Sequence, residues 1–168
     1  MTVTRRTVTI DGAPCVVVDD RLYLSGKLRE RTTDWYSQDD LGNVWYFGEN
    51  TAELDRAGHV TSREGTWRAG RDGAQAGIFM PAHPRLGQSG RQEHYPGQAE
   101  DHYRVLRLRT SVSVPYGRSR AALVTAEWTP LEPGVLDHKY YLAGVGTVLE
   151  QTVRGGDERN ALVSVTRR

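Results

Sequence analysis

A chain of 168 residues, with 22 Lys and Arg against 21 Asp and Glu, is large enough to bury one ordinary hydrophobic core, and it reads as a single domain over residues 1–168. Its charges are scattered and form no stripe that could follow a phosphate backbone, so nucleic acid is not an expected partner. The lone cysteine, Cys15, excludes an internal disulfide, and no stretch approaches the roughly 20 apolar residues of a membrane span.

From the N-terminus, Val3 to Ile10 alternates polar and β-branched residues. That pattern is a strand, not a basic and then apolar leader. As written the chain is expected in the cytoplasm; one whose leader had been removed would be secreted and would look the same. Asp11-Gly12 supplies a tight reversal, and a strand from Pro14 to Leu24 returns, with Cys15 reading as a small apolar residue beside Val16, Val17 and Val18. Ser25-Gly26-Lys27 turns the chain into a long strand, Leu28 to Gln38, that ends in Trp35 and Tyr36. Asp39 to Asn43 then reverses it into Val44-Trp45-Tyr46-Phe47.

Turns at Asp55 to Gly58 and Arg71 to Gly73 bracket a predicted strand from His59 to Ala69 that contains Trp67. Between Gly77 and Asp101, Pro81, Pro84 and Pro96 with Gly77, Gly87, Gly90 and Gly97 oppose regular pairing. This region reads as a long ordered loop with one short strand near Arg91 to Tyr95. Strands resume at His102 to Val114, Ala121 to Pro130, Val135 to Leu142, Val145 to Val153 and Arg159 to Thr166. Helix periodicity is absent throughout. The recurring turns predict an all-β chain: a single curled antiparallel sheet of roughly eight to eleven strands, forming a barrel or half-barrel around a cavity.

Asp39-Asp40-Leu41-Gly42-Asn43 with Glu49 superficially has the oxygen ligands of a calcium loop, but it lacks a third alternate ligand and a glutamate at the twelfth position, so a β-turn is the better reading. His59, His83, His94, His102 and His138 have neither helical pairing nor a cysteine partner. The glycines do not form a phosphate loop, and Ser89 breaks the spacing of a nucleophile elbow. No metal and no cofactor are expected.

A more pointed constellation follows from treating Leu131-Glu132-Pro133-Gly134 as a four-residue hairpin loop. Glu127 then lies opposite His138, and Thr125 opposite Tyr140, on one face. Glu127, His138 and Tyr140 would form an acid–base group if that face lined a cavity, and a surface ion pair if it did not. Arg91 and Glu93 sit in the irregular 77–101 segment. Arg91 could hold a carboxylate of a ligand, of Glu93 or of Glu100, or could bridge loop and sheet.

The blocks Asp34-Trp35-Tyr36-Ser37-Gln38-Asp39, Gly42 to Glu49, Gly77 to Ala82, Arg91-Gln92-Glu93, Thr129 to Val135 and Lys139 to Gly146 resemble a family of small, mostly secreted actinobacterial β-proteins without an assigned activity. More distantly, Tyr140 to Val148 is similar to the penultimate hairpin of half-barrel lipoproteins of the lipoprotein-localisation-factor type. The resemblance implies a curved antiparallel sheet around a hydrophobic cavity, and no reaction. Two functions are open. One is a binding module for an apolar or amphipathic small molecule, walled by Trp35, Trp45, Tyr46, Trp67, Met80 and Tyr140. The other is a cofactor-independent cyclase, isomerase or lyase of natural-product metabolism, with Glu127, His138 and Tyr140 moving a proton. Either fits a monomer or homodimer.

Overall fold

The computed structural model describes residues 1–167. It is all-β, with antiparallel pairing throughout and no helix among the described residues; none, accordingly, is long and apolar enough to cross a membrane. In chain order the strands are β1 (Thr2–Ile10), β2 (Ala13–Leu24), β3 (Lys27–Gln38), β4 (Val44–Leu54), β5 (Val60–Ser62), β6 (Trp67–Arg68) and β7 (Gln75–Met80). They continue as β8 (Ser89–Arg91), β9 (Glu93–His94), β10 (His102–Val114), β11 (Gly117–Trp128), β12 (Leu136–Leu142), β13 (Gly146–Arg154) and β14 (Arg159–Ala161). Among the described residues these fourteen exceed the sequence expectation because β5, β6, β8, β9 and β14 are fragments of two or three residues.

The strands belong to two open sheets where the sequence suggested one. The chain divides correspondingly into two compact units, residues 1–82 with 91–100, and residues 83–90 with the chain from Asp101 onward. No linker composition marks the division, which is why the sequence reads as one domain.

The first sheet runs β1-β2-β3-β4-β7-β9, with β5 and β6 also pairing with β4. Two hairpins close through left-handed pairs, Asp11-Gly12 (φ 47 and 79) and Ser25-Gly26 (φ 52 and 77), whose twist matches that of the strands. β4 extends to Leu54 through a bulge at Gly48 (φ 124), where a Cβ would stand 2.3 Å from the Trp67 carbonyl oxygen. Only glycine lets β6 dock there. Gly48→Ala is therefore expected to lower stability by about 2 to 4 kcal/mol, read from urea denaturation; an unchanged midpoint would refute this role.

The predicted strand from His59 to Ala69 is broken. Thr66 N–H donates to Arg63 C=O and Gly65 takes φ 83, leaving β5 and β6 as separate pieces on β4. The 77–101 region carries more pairing than expected, because Gly77 lacks the Cβ that would meet the Gln92 carbonyl at 2.4 Å, which admits β9 beside β7. Cys15 is fully buried with Ile10, Phe47 and Trp67 in this unit's core, the apolar role read from its neighbours.

The second sheet runs β14-β13-β12-β11-β10-β8, around a core of Val112, Ala122, Val148 and Leu149. Beyond β14, the chain keeps one ladder position: Leu162 N–H donates to Val148 C=O, and its carbonyl accepts from Tyr116 N–H.

Candidate functional site

Cross-strand pairing in the first sheet collects carboxylates on one face. Asp34 lies opposite Glu49, Glu30 opposite Glu53, and Asp20 opposite Thr32. Directly opposed like charges destabilise a sheet. Between them Thr32 and Thr51 share a buried hydroxyl hydrogen bond of 2.8 Å. Along the same face the acidic end gives way to rings: Tyr36 stacks on Tyr46 with centroids 4.7 Å apart, and Phe79 and Trp67 meet Tyr46 edge-on at 6.1 and 5.6 Å.

Asp34 joins the two halves. It is 6% exposed, and its Oδ1 accepts a 2.8 Å hydrogen bond from the Tyr46 hydroxyl. Among the described residues no cationic side chain forms an ion pair with it. Burial, followed by the charges of Asp20, Glu30 and Asp19, pushes its carboxyl up to about 6 against the opposing bond from Tyr46. Burial likewise raises the Tyr46 phenol well above its ordinary value, so it stays a donor.

The ring residues expected as one wall are divided. Tyr46 and Trp67 share this face, and Trp67 Nε1–H donates to Glu93 Oε1 at 3.2 Å. Trp35 and Trp45 alternate onto the opposite face, Trp35 beneath the Arg68 guanidinium at 5.6 Å and Trp45 bonded to Asp39. Met80, half-buried, ends β7 opposite Val44. Arg91 is exposed and turns to the His94 ring, while Glu100 accepts from Gly97 N–H; Arg91 thus forms neither carboxylate pair considered from the sequence.

In the second unit the register departs from the four-residue loop. Glu127 faces Asp137, Ala126 faces His138, and Val124 faces Tyr140. Residues 129–135 form a longer loop, turned by Glu132 N–H to Thr129 C=O and Val135 N–H to Glu132 C=O, since Pro130 has no N–H to extend the ladder. The slip of one residue sends His138 and Tyr140 to the face opposite Glu127. The expected group of Glu127, His138 and Tyr140 is not assembled. His138 is instead held below its usual value by burial and then by Arg107, with Asp137 opposing.

Glu127 has different partners, and they are close. Its Oε1 accepts from Thr125 Oγ1–H at 2.6 Å and from Tyr141 Oη–H at 2.7 Å, and its Oε2 lies 3.1 Å from Lys139 Nζ. Lys139 also reaches Glu150 Oε1 at 3.2 Å. Burial pulls the ammonium down, but Glu127, Tyr141 and Glu150 outweigh it and hold the pKa well above the ordinary value. Burial raises Asp101 nearby, with Lys139 opposing and Glu127 reinforcing. A carboxylate already serving two hydroxyls and an ammonium braces the sheet more readily than it abstracts a proton.

Compared with protein-family models, curated proteins and solved structures, the chain matches none of them. The functional reading therefore rests on the geometry above. Asp39, considered as a cation ligand from its sequence, has its oxygens engaged: Oδ1 accepts from Leu41 and Asn43 N–H, and Oδ2 from Asn43 Nδ2 and Trp45 Nε1. Trp45 and then Asn43 lower its pKa to about 2, which is the turn chemistry of an Asx residue. Sequence reasoning missed Asp34, although Glu30, Thr32, Asp34 and Tyr36 alternate in one strand. The signal is the shared parity of those acids with aromatic Tyr36.

Proposed function

We propose that this chain is a binding module for a small amphipathic molecule, which seats a cationic group at Asp34 and its apolar body against Tyr36, Tyr46 and Phe79. The carrying observation is the buried Asp34 carboxyl, opposed across the ladder by Glu49 and bonded to a phenol in place of a cation. An asparagine could accept the same Tyr46 bond without the desolvation cost of a charge. A charge that the free fold does not compensate is one a cationic ligand would stabilise, and the adjacent rings would add cation–π attraction. The graded face, carboxylates at one end and rings at the other, matches an amphipathic outline.

Tyramine, an aromatic primary amine, is expected to raise the melting temperature of the wild-type protein in a saturable way. Tyrosol, its uncharged counterpart, should not, and Asp34→Asn should remove the response. Equal shifts with tyramine and tyrosol, or an undiminished shift in Asp34→Asn, would overturn the proposal. Recovery of the amine chemically unchanged after incubation separates a binder from a cyclase, isomerase or lyase.

A further inference from the structure

From His102 to Ala126 the sequence contains no Asp or Glu, yet it carries Arg104, Arg107, Arg109, Arg118 and Arg120. Strands β10 and β11 fold this stretch onto itself, so like charges far apart in sequence share one ribbon. All five guanidinium groups are exposed, and among the described residues none belongs to an ion pair. Uncompensated positive charge concentrated on one hairpin raises the local concentration of anions.

Geometry narrows the anion. At the closed end of the hairpin, Ser111, Val112, Ser113, Arg118, Ser119 and Arg120 line a groove of about 580 Å³. Ser113 lies directly opposite Arg118, so a hydroxyl and a guanidinium share a face. Arg120 follows Arg118 at the same-face spacing of a strand, about 7 Å, which lets two guanidinium groups approach one tetrahedral oxyanion from both sides. Arginine presents paired N–H donors in a plane that matches phosphate oxygens, and the serine hydroxyls can donate to those left over.

We propose that this groove binds a phosphate group, held by Arg118 and Arg120 with Ser113 as a third donor. Its residues all belong to the second unit, and the proposal does not depend on how the carboxylate and aromatic face of the first unit is used. A soluble phosphomonoester and a phospholipid headgroup carry the same group, and they are told apart by experiment.

Backbone amide resonances of uniformly 15N-labelled protein are followed during titration with phenyl phosphate, with sodium chloride at matched ionic strength as control. In parallel, co-sedimentation is measured with vesicles of phosphatidylcholine alone and of phosphatidylcholine containing phosphatidic acid. Saturable shifts confined to residues 111–120 are expected with phenyl phosphate and not with chloride. Arg118→Ala and Arg120→Ala should each weaken binding about tenfold, whereas Arg5→Ala, removing an exposed charge on β1, should leave it intact. Binding of phenyl phosphate without sedimentation assigns a soluble ligand; sedimentation only with phosphatidic acid, lost in both arginine variants, assigns a headgroup. Binding to neither, or binding that survives Arg118→Ala combined with Arg120→Ala, would overturn the proposal.

Discussion

Lys139→Met is expected to cost about 3 to 5 kcal/mol of folding stability, the range found when one partner of a buried ion pair is removed. Lys139 Nζ stands 3.1 Å from Glu127 Oε2 and 3.2 Å from Glu150 Oε1, and its side chain is 22% exposed. Methionine fills much the same volume, so the loss would come from charge. Glu127, 5% exposed, would keep its two hydroxyl donors but lose its cation, and Asp101 would lose the attraction that now opposes its burial. Glu127→Gln in the same chain should recover part of the loss, because a neutral amide needs no counter-charge. Trp128, alone among the four tryptophans in following Asp101, reports on this unit by fluorescence during urea denaturation. A loss below about 1 kcal/mol would class the pair with solvent-screened surface bridges.

What the sequence made legible was local. The turns at Asp11-Gly12 and Ser25-Gly26, the strand from Val3 to Ile10 and the burial of Cys15 follow from backbone preferences and neighbouring residues, and they appear as read. The strict alternation of Val3 to Ile10 does not, because the pairing with β2 shifts between Val3 and Thr7. What it concealed was register. Nothing in Thr129 to Val135 states whether Pro130 pairs or turns, yet that choice decides whether Glu127 shares its face with His138 or with Lys139 and Tyr141. Parity propagates an error of one residue through a whole strand. Gly48 acts in the same way: its bulge lets Tyr46 and Glu49 share a face across an odd spacing, which strict alternation denies. The arginine hairpin was hidden for a related reason. Its charges are spread over 17 positions in sequence, Arg104 to Arg120, and only the folding of β11 against β10 gathers them.

Asp34 ties the proposed ligand to a property of the free protein, namely its stability as a function of pH. Burial, with Asp20, Glu30 and Asp19 adding to it, raises the folded carboxyl to about 6 from an ordinary value of 3.8, with Tyr46 opposing. Between those values the unfolded chain has released the proton while the folded chain retains it. The folded state thus binds more protons, and stability falls as pH rises through this window. The loss is complete above pH 6 and amounts to about 3 kcal/mol. Asp34→Asn keeps an acceptor for the Tyr46 hydroxyl and has no proton to lose. It is therefore expected to be the more stable protein near pH 8 by up to about 3 kcal/mol, with the advantage vanishing near pH 4. Other carboxyls titrate in both proteins, Asp101 among them, so the informative quantity is the difference between variant and wild type in urea midpoints across the range. A constant difference would show that Asp34 is already solvated or compensated, and would remove the uncompensated charge on which recognition of an amine depends. A difference that grows between about pH 4 and 6 and then levels, joined to loss of the tyramine response in the same variant, would identify this carboxylate as a group that destabilises the free fold and is neutralised by its ligand.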